Sequence, residues 1–174
     1  MKVPIDLHGH SAMDQLKLAA LDKDDLDVLS AHLQDAILTV GDLKYLPAEH
    51  RFLTTVNRFA WEKTPDGGRL FGKANVPGIV KERRRAALHF DRVTKVQSNR
   101  IRRDAKDGVL SLLSLQFSMT EDPSGVVELV FSGGGTIRLE VECVEAQLTD
   151  LGTSWATKNV PEHDLPEDDA PASE

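Results

Sequence analysis

The chain has 174 residues, of which 40% are apolar and 28% charged, and this composition is typical of a globular protein and excludes disorder throughout. Its net charge of −7 argues against a general affinity for nucleic acid. The only cysteine, Cys143, excludes an intramolecular disulfide and a cysteine-based zinc site, and it indicates a reducing, cytoplasmic compartment. We find neither the apolar core of a signal peptide nor an apolar stretch of roughly 20 residues, so we expect no membrane span.

The two ends differ from the rest of the chain because they carry almost no periodic apolar pattern. Residues 161–174 hold six acids, three prolines and no lysine or arginine, which is the composition of a disordered segment. We therefore predict a flexible leader over residues 1–12, a single α+β domain over 13–160 and a disordered acidic tail over 161–174. Met13 lies where the patterned region begins and is an alternative start to Met1.

The first patterned element is a helix, predicted over about residues 23–35. Asp22 is a suitable N-cap, and the acids that follow it suit the positive end of the helix dipole. Leu21 precedes the cap and is expected to pack on Leu26. Apolar residues at helical spacing predict the buried face, which comprises Leu26, Leu29 and Leu33.

From Ile37 the apolar period shifts towards two, and β-branched and aromatic residues become common. The pattern predicts strands over 37–40, 43–46, 51–61 and 84–96, a turn over 47–50 and a long loop over 64–79. The 84–96 strand changes phase, which indicates a bulge near Asp91.

Three further strands are predicted to form an antiparallel meander. Their expected inward residues are Leu113, Leu115, Phe117 and Met119, then Val127, Leu129 and Phe131, then Ile137, Leu139, Val141 and Cys143. Glycines within residues 132–135 precede a strand and not a helix, so they indicate a hairpin turn rather than a phosphate-binding loop. Helical spacing then returns at Val144, Leu148 and Leu151, and Gly152 is placed to end a C-terminal helix.

These elements predict an α+β fold, with a curved antiparallel sheet of about six strands between an N-terminal helix and a C-terminal helix. A sheet of this kind, closed at one end by the last helix, would resemble a pleckstrin-homology-type barrel in its element order. Such a likeness would not assign a function.

Near the N-terminus, the segment IDLHGHS places Asp6, His8 and His10 on one face if the segment is a strand. Their side chains suit zinc, manganese or iron. The segment resembles the first metal motif of the amidohydrolase and PHP-type phosphoesterase families, which complete the site with ligands from later strands of a parallel barrel. This chain has four later histidines in no matching motif. We therefore predict no metal site, and a metal-dependent hydrolase is the alternative function.

Residues 81–103, the basic segment, carry an unusual charge. Nine lysines and arginines and two acids give the segment a net charge of +7, so the rest of the chain sums to −14. Arginine predominates, and its planar fork binds carboxylate and phosphate with two parallel hydrogen bonds. The candidate binding residues are Arg83, Arg84, Arg85, Arg92, Arg100, Arg102 and Arg103.

Two interpretations of the basic segment stay open. In the first, strand alternation places Arg83 and Arg85 on one face, a bulge near Asp91 brings Arg92 towards them, and the segment is a binding surface for an acidic protein or a phosphate-bearing ligand. Alternatively, the arginines only neutralise neighbouring acids on a solvated face.

Three stretches of the chain carry a family resemblance. They are MDQLKLAALDKDDLDVLSAHLQDAILTVGDLKYLP, then RRRAALHFDRV, and then GGGTIRLEVECVEAQLTDLG followed by WATKNVPEH. Over about residues 13–163 the chain resembles a small bacterial family, found chiefly in alphaproteobacteria, that is known only as a domain of unknown function. The resemblance implies no activity, cofactor or catalytic residue.

The sequence favours a cytoplasmic, non-catalytic binding or interaction module that uses the basic segment. No G-x-S-x-G motif occurs, and the expected inward positions of the strands carry leucine, valine and phenylalanine instead of His, Asp or Glu. We therefore predict no catalytic residues, no metal ligands and no cofactor.

Overall fold

The computed structural model describes residues 15–60 and 81–157, which form ten β-strands and one α-helix. In chain order the elements are β1 (Lys17–Ala20), α1 (Lys23–Leu33), β2 (Ala36–Thr39), β3 (Lys44–Leu46), β4 (Arg51–Phe59), β5 (Lys81–Phe90), β6 (Val93–Asn99), β7 (Val109–Glu121), β8 (Ser124–Phe131), β9 (Thr136–Val141) and β10 (Ala146–Thr157). Short 3-10 turns occupy Val40–Asp42, Pro47–Glu49 and Ser132–Gly134.

All ten strands belong to one antiparallel sheet. The spatial order is β1-β10-β5-β4-β2-β7-β8-β9-β6, and β3 pairs with β4 beside this path. The sheet is open, and its buried apolar side chains form a cluster that includes the inner face of α1. Within the described ranges, no helix has the length and apolar character that a membrane crossing requires.

The predicted α+β class, with about six strands and a C-terminal helix, is wrong. The described sheet has ten strands, and the residues of the predicted C-terminal helix form one of them, β10, which lies between β1 and β5. Val144, Ala146, Leu148 and Asp150 are buried in alternation, whereas Leu151 is 47% exposed. This period of two defines a strand, and the helical spacing of the larger apolar residues was coincidental. The pleckstrin-homology-type element order, which needs that terminal helix, is therefore also wrong.

The predicted N-terminal helix is confirmed, although it ends at Leu33. The Asp22 side chain accepts a hydrogen bond from the Asp25 N–H at 2.8 Å, which satisfies one of the helix's first backbone donors. Its three predicted core leucines, Leu26, Leu29 and Leu33, are buried. The expected packing of Leu21 on Leu26 is wrong, because Leu21 is 69% exposed.

The phase change near Asp91 is a turn and not a bulge within one strand. Asp91 and Arg92 separate β5 from β6, and Arg92 has a φ of 60°. After the turn the chain leaves its former neighbours, since β5 pairs with β4 and β10 whereas β6 pairs with β9. Buried apolar residues alternate up to Phe90, and the next buried residue is Val93, because two turn residues lie between them. A bulge within one strand would give the same change in the sequence pattern.

A bulge does occur in β7. The pairing of β7 with β8 shifts between Leu112 and Ser114, so Leu112 and Leu115 both point into the core. The N–H of Leu115 donates to Ser30 Oγ on α1 at 2.9 Å. Strict alternation was therefore the wrong prediction for Leu113, which is 39% exposed, and also for Met119, which is exposed near the end of the strand.

The remaining meander agrees with the pattern. The predicted inward residues of β8 and β9 are buried: Val127, Leu129, Phe131, Ile137, Leu139 and Val141. The glycine-rich segment between the strands is a turn, in which Gly133 and Gly134 take positive φ values of 80° and 84°. Cys143 lies half-buried in the bend after β9. Trp61 and the predicted 64–79 loop lie outside the described residues.

Candidate anion-binding surface

The structure divides the cations of the basic segment between the protein interior and the surface. Arg83 and Arg84 are 9% and 4% exposed. The exposed candidates are Arg85, Arg92, Arg100, Arg102 and Arg103, together with Lys95. The segment therefore contributes to the folded interior as well as to the surface, which its sequence does not reveal.

Arg84 belongs to a buried charged cluster at one end of the core. Arg58 of β4 pairs with Asp150 of β10 through two hydrogen bonds of 2.9 Å, and its side chain has no exposed surface. Arg84 Nη1 lies 3.6 Å from Asp150 Oδ2, and Arg84 Nε donates to Glu82 at 2.7 Å. The Asp150 carboxylate also accepts the N–H of Leu16 at 3.0 Å. Burying these charges requires such pairing, so the cluster is a structural element of the fold.

Arg83 lies on the opposite face of β5 from Arg84. Its guanidinium stacks 3.9 Å above the ring of Phe59 and donates to the backbone carbonyl of Asn57 at 3.2 Å. Burial lowers the pKa of Arg83, and the charge of Asp35 opposes that shift. Its neighbour on this face, Arg85, is exposed, with Nη2 3.5 Å from Thr55 Oγ1.

Arg92 does not come near Arg83 and Arg85. The strand from Arg83 to Phe90 spans roughly 23 Å, and Arg92 follows its far end. There Arg92 Nε lies 3.3 Å from Glu145 Oε2. Lys95 similarly lies 3.6 Å from Glu140. These two cations have partners within the fold.

The loop between β6 and β7 carries the remaining cations, and we call residues 100–106 the basic loop. Arg100, Arg102, Arg103 and Lys106 are all exposed in it. Its backbone is fixed to the 3-10 turn after β2, because the Gly41 N–H donates to the Lys106 carbonyl at 2.8 Å. Hence the exposed cations project from an anchored loop.

An apolar pocket of about 30 Å³ opens beside the basic loop, between β3 and β6, and we call it the β3–β6 pocket. Its apolar lining comes from Val40, Leu43, Tyr45, Phe52, Val96, Ile101 and Ile137. Three cations, Lys44, Arg103 and Lys106, also line it, together with Ser98. Sequence reasoning found Arg103 but missed the lysines, because a single lysine in a charged protein gives no signal of its neighbours in space.

A second polar cluster lies where β5 ends. Arg51 Nε donates to Asp91 Oδ1 at 2.6 Å, and His89 Nε2 lies 3.6 Å from the other oxygen of the same carboxylate. Burial lowers the pKa of His89, although Asp91 raises it in part. In residues 15–60 and 81–157, no three His, Cys, Asp or Glu side chains are close enough together to hold a metal ion.

Asp6, His8 and His10, which the hydrolase alternative would use, lie outside the described residues, as do the predicted leader and acidic tail. The hydrolase alternative stays a prediction. Metal analysis of purified protein begun at Met1, compared with protein begun at Met13, checks it directly.

Comparison with known protein families gives one match. A family model described as "Protein of unknown function (DUF2948)" matches residues 16–163. The chain belongs to this family. The predicted membership in a domain family of unknown function is thereby confirmed, whereas its distribution among alphaproteobacteria stays a prediction. The DUF2948 match spans all the described strands and the basic segment. No curated protein and no solved structure matches the chain.

Proposed function

We propose that this DUF2948 chain is a non-catalytic cytoplasmic module that binds an acidic protein through the exposed part of its basic segment. One observation carries the proposal. No described carboxylate lies within ion-pair distance of Arg100, Arg103 or Lys106, although all three sit on an anchored loop of a strongly acidic protein. Their charge is therefore available to an external anion.

Most other arginines near the surface differ from these three. Exposed Arg92 and Arg138 each lie near a glutamate of a neighbouring segment, and half-buried Arg51 binds Asp91. Arg85, which is also exposed, lies near Thr55 Oγ1 and has no described carboxylate within ion-pair distance, but it is a single cation outside the basic loop. Within the basic loop only Arg102 has such a partner, Asp104, at 3.3 Å, and both side chains are more than three-quarters exposed. An exposed pair of this kind contributes little to stability and opens readily for another partner.

Binding is favoured over catalysis because the basic loop offers charge without a chemically activated group. Arginine and lysine at the surface attract and orient carboxylates, and complementary charge mainly increases association rate and specificity. The strand faces that surround the core carry mainly aliphatic and aromatic side chains. The buried charged side chains among the described residues are those of Asp35, Arg58, Arg83, Arg84 and Asp150.

The test is binding of a fluorescent ten-residue glutamate peptide, measured by anisotropy with the full chain. We expect affinity that falls steeply as ionic strength rises, because exposed charges are screened within about 8 Å at physiological salt. The variant Arg100→Glu with Arg103→Glu should bind at least about tenfold more weakly, since it replaces two attractive charges with repulsive ones.

A matched control reverses two exposed cations on β1 and α1, Lys17→Glu with Lys23→Glu, and should bind as the unmodified chain does. Equal affinity of all three proteins would contradict the proposal. Absence of peptide binding, combined with saturable binding of inorganic phosphate, would assign the basic loop to phosphate-bearing ligands instead and overturn the acidic-protein proposal.

A further inference from the structure

We infer that the acidic partner binds as an extended segment that adds to the β6 edge and inserts one small apolar side chain into the β3–β6 pocket. This inference rests on the proposed function, and it specifies the conformation in which the acidic partner binds. It depends on the size of the pocket, the chemistry of its lining and the strand edges beside it.

The size of the pocket excludes a typical metabolite. Small-molecule sites usually measure roughly 300–1,000 Å³. The β3–β6 pocket, at about 30 Å³, has room only for the end of one side chain. A pocket of this size therefore suits an anchor residue of a larger ligand that stays mostly outside.

The chemistry of the pocket specifies what surrounds that anchor. Its lining includes aliphatic and aromatic side chains, among them Phe52, Val96 and Ile137, so an apolar anchor matches it. Lys44, Arg103 and Lys106 line the same pocket, and carboxylates on both sides of the anchor would meet them. The complementary sequence is thus acid, apolar residue, acid.

The strands beside the pocket favour an extended ligand. Among the described strands, β3 pairs only with β4, and β6 pairs only with β9. The N–H of Val93, at the start of β6, donates to the His50 carbonyl at 2.8 Å, so that end of the edge is covered. Along the rest of β6, no described strand pairs with the outer backbone groups. An added strand would satisfy them and lie along the pocket.

The acidic tail of this chain also contains a leucine, Leu165, which follows Asp164 and precedes Pro166 and Glu167, but the distance it must reach argues against it. The last residue of β10, Thr157, pairs with Lys81 at the start of β5, whereas the pocket residue Phe52 pairs with Phe90 at the end of β5. The ten residues of β5 span roughly 30 Å, and the eight residues from Thr157 to Leu165 extend at most about 28 Å. A separate partner is therefore the better occupant.

The experiment compares two synthetic peptides, Asp-Glu-Asp-Leu-Asp-Glu-Asp and the same peptide with serine in place of leucine, on the full chain. The leucine peptide should bind about tenfold more tightly. Ser98→Leu places a bulky side chain at the pocket and should abolish this difference. Gln97→Leu makes a similar change at an exposed position that does not line this pocket, on the same strand, and should preserve it.

Backbone pairing has its own readout. Two leucine peptides, methylated on the amide nitrogens of either the odd or the even residues, should differ about tenfold in affinity, because only alternate N–H groups face a neighbouring strand. Equal affinities would overturn the strand-addition part of the inference.

The outcomes separate this inference from the proposed function. Salt-sensitive binding of both peptides without preference for leucine would overturn the anchor and leave the acidic-partner proposal standing. Lack of binding by either peptide would overturn both. If removal of residues 161–174 raised affinity for the leucine peptide more than about tenfold, the occupant would be the chain's own tail, and the separate partner would be rejected.

Discussion

Two arginine-rich regions of this protein, the buried cluster around Arg58 and the basic loop, have similar composition and opposite environments. In the cluster, Arg58 and Arg84 face the core and are oriented by Asp150, whose side chain is 2% exposed. In the basic loop, Arg103 is exposed and has no ion-pair partner among the described residues. A run of arginines in a sequence therefore indicates charge without indicating its use. Burial decides whether an arginine stabilises the fold or is available to a ligand.

The energetic difference follows from desolvation. Removing a guanidinium from water costs desolvation free energy, and a well-placed carboxylate offsets this cost. If the carboxylate is removed, the buried guanidinium keeps the cost without the compensating interaction. At the surface, water solvates each charge, and an ion pair contributes at most about 1 kcal/mol. The two regions should therefore respond very differently to the same type of substitution.

The largest expected effect comes from removing the carboxylate of the buried cluster. Asp150→Ala should lower the free energy of unfolding by about 3–5 kcal/mol, because Arg58 and Arg84 stay buried without their shared partner. Urea unfolding measures this change. The matched control, Asp104→Ala, removes the partner of exposed Arg102 and should cost less than about 1 kcal/mol. Similar losses for the two variants would contradict the comparison.

The same comparison extends to apolar residues of the meander. Leu129→Ala or Leu139→Ala should cost roughly 2–5 kcal/mol, because each leucine is fully buried and leaves a cavity. Leu113→Ala, at a position displaced outward by the β7 bulge, should change stability by about 0.5 kcal/mol or less. The inward phase assigned to β8 or β9 would be refuted by a neutral result for either buried leucine.

Arg83 and Arg85 sharpen the comparison within one strand, since they share a face of β5 but differ in exposure. Arg83→Glu should lower the free energy of unfolding by about 2 kcal/mol or more, because it removes a desolvated cation from the ring of Phe59 and buries an anion. Arg85→Glu should cost about 0.5 kcal/mol or less. Thermal unfolding of the two variants distinguishes these outcomes, and a reversed order would place Arg85 in the interior.

The smallest effect concerns pH. Burial, opposed by Asp91 and Glu145 and assisted by Arg51, lowers the pKa of His89 in the folded state below its ordinary value near 6.5. The unfolded chain therefore binds the proton more readily, and stability is lost as pH falls from about 6.5 through the lowered folded pKa. His89→Asn should lose less stability between about pH 7 and pH 5. An unchanged pH profile for His89→Asn would contradict this prediction.

Local patterns predicted the parts of the fold whose environment depends on near neighbours. The cap at Asp22, the leucines of α1 and the alternation of β8 and β9 were predicted correctly, because each depends on spacing along a short stretch. The segment that contains β10 resembles a helix in sequence because two of its alternating buried positions are not large apolar residues. Ala146 is small and Asp150 is charged, so only Val144 and Leu148 remain to indicate the period of two. The Asp150 carboxylate can be buried because Arg58, 92 residues away in the sequence, donates hydrogen bonds to it.

The candidate site was predictable to a similar extent. Composition identified the basic segment, but it could not show that Arg84 is buried and Arg103 exposed. That difference depends on which residues face the core of a sheet assembled from strands that are distant in the sequence. Lys44 joins the pocket only because β3 lies beside β6, and these strands are separated in sequence by β4 and β5. Lys106, three residues after Arg103, was the one missed cation that proximity in the sequence could have suggested.

Asp150 lies in β10, the last strand that the structure describes, and this position affects the order in which the protein assembles during synthesis. Arg58 and Arg84 leave the ribosome before the carboxylate that they require, and β10 must also enter the sheet between β1 and β5. The charged cluster therefore cannot form until β10 has been translated. A nascent chain without β10 exposes both arginines and leaves the neighbouring edges of β1 and β5 unpaired, so this part of the sheet assembles only after β10 emerges.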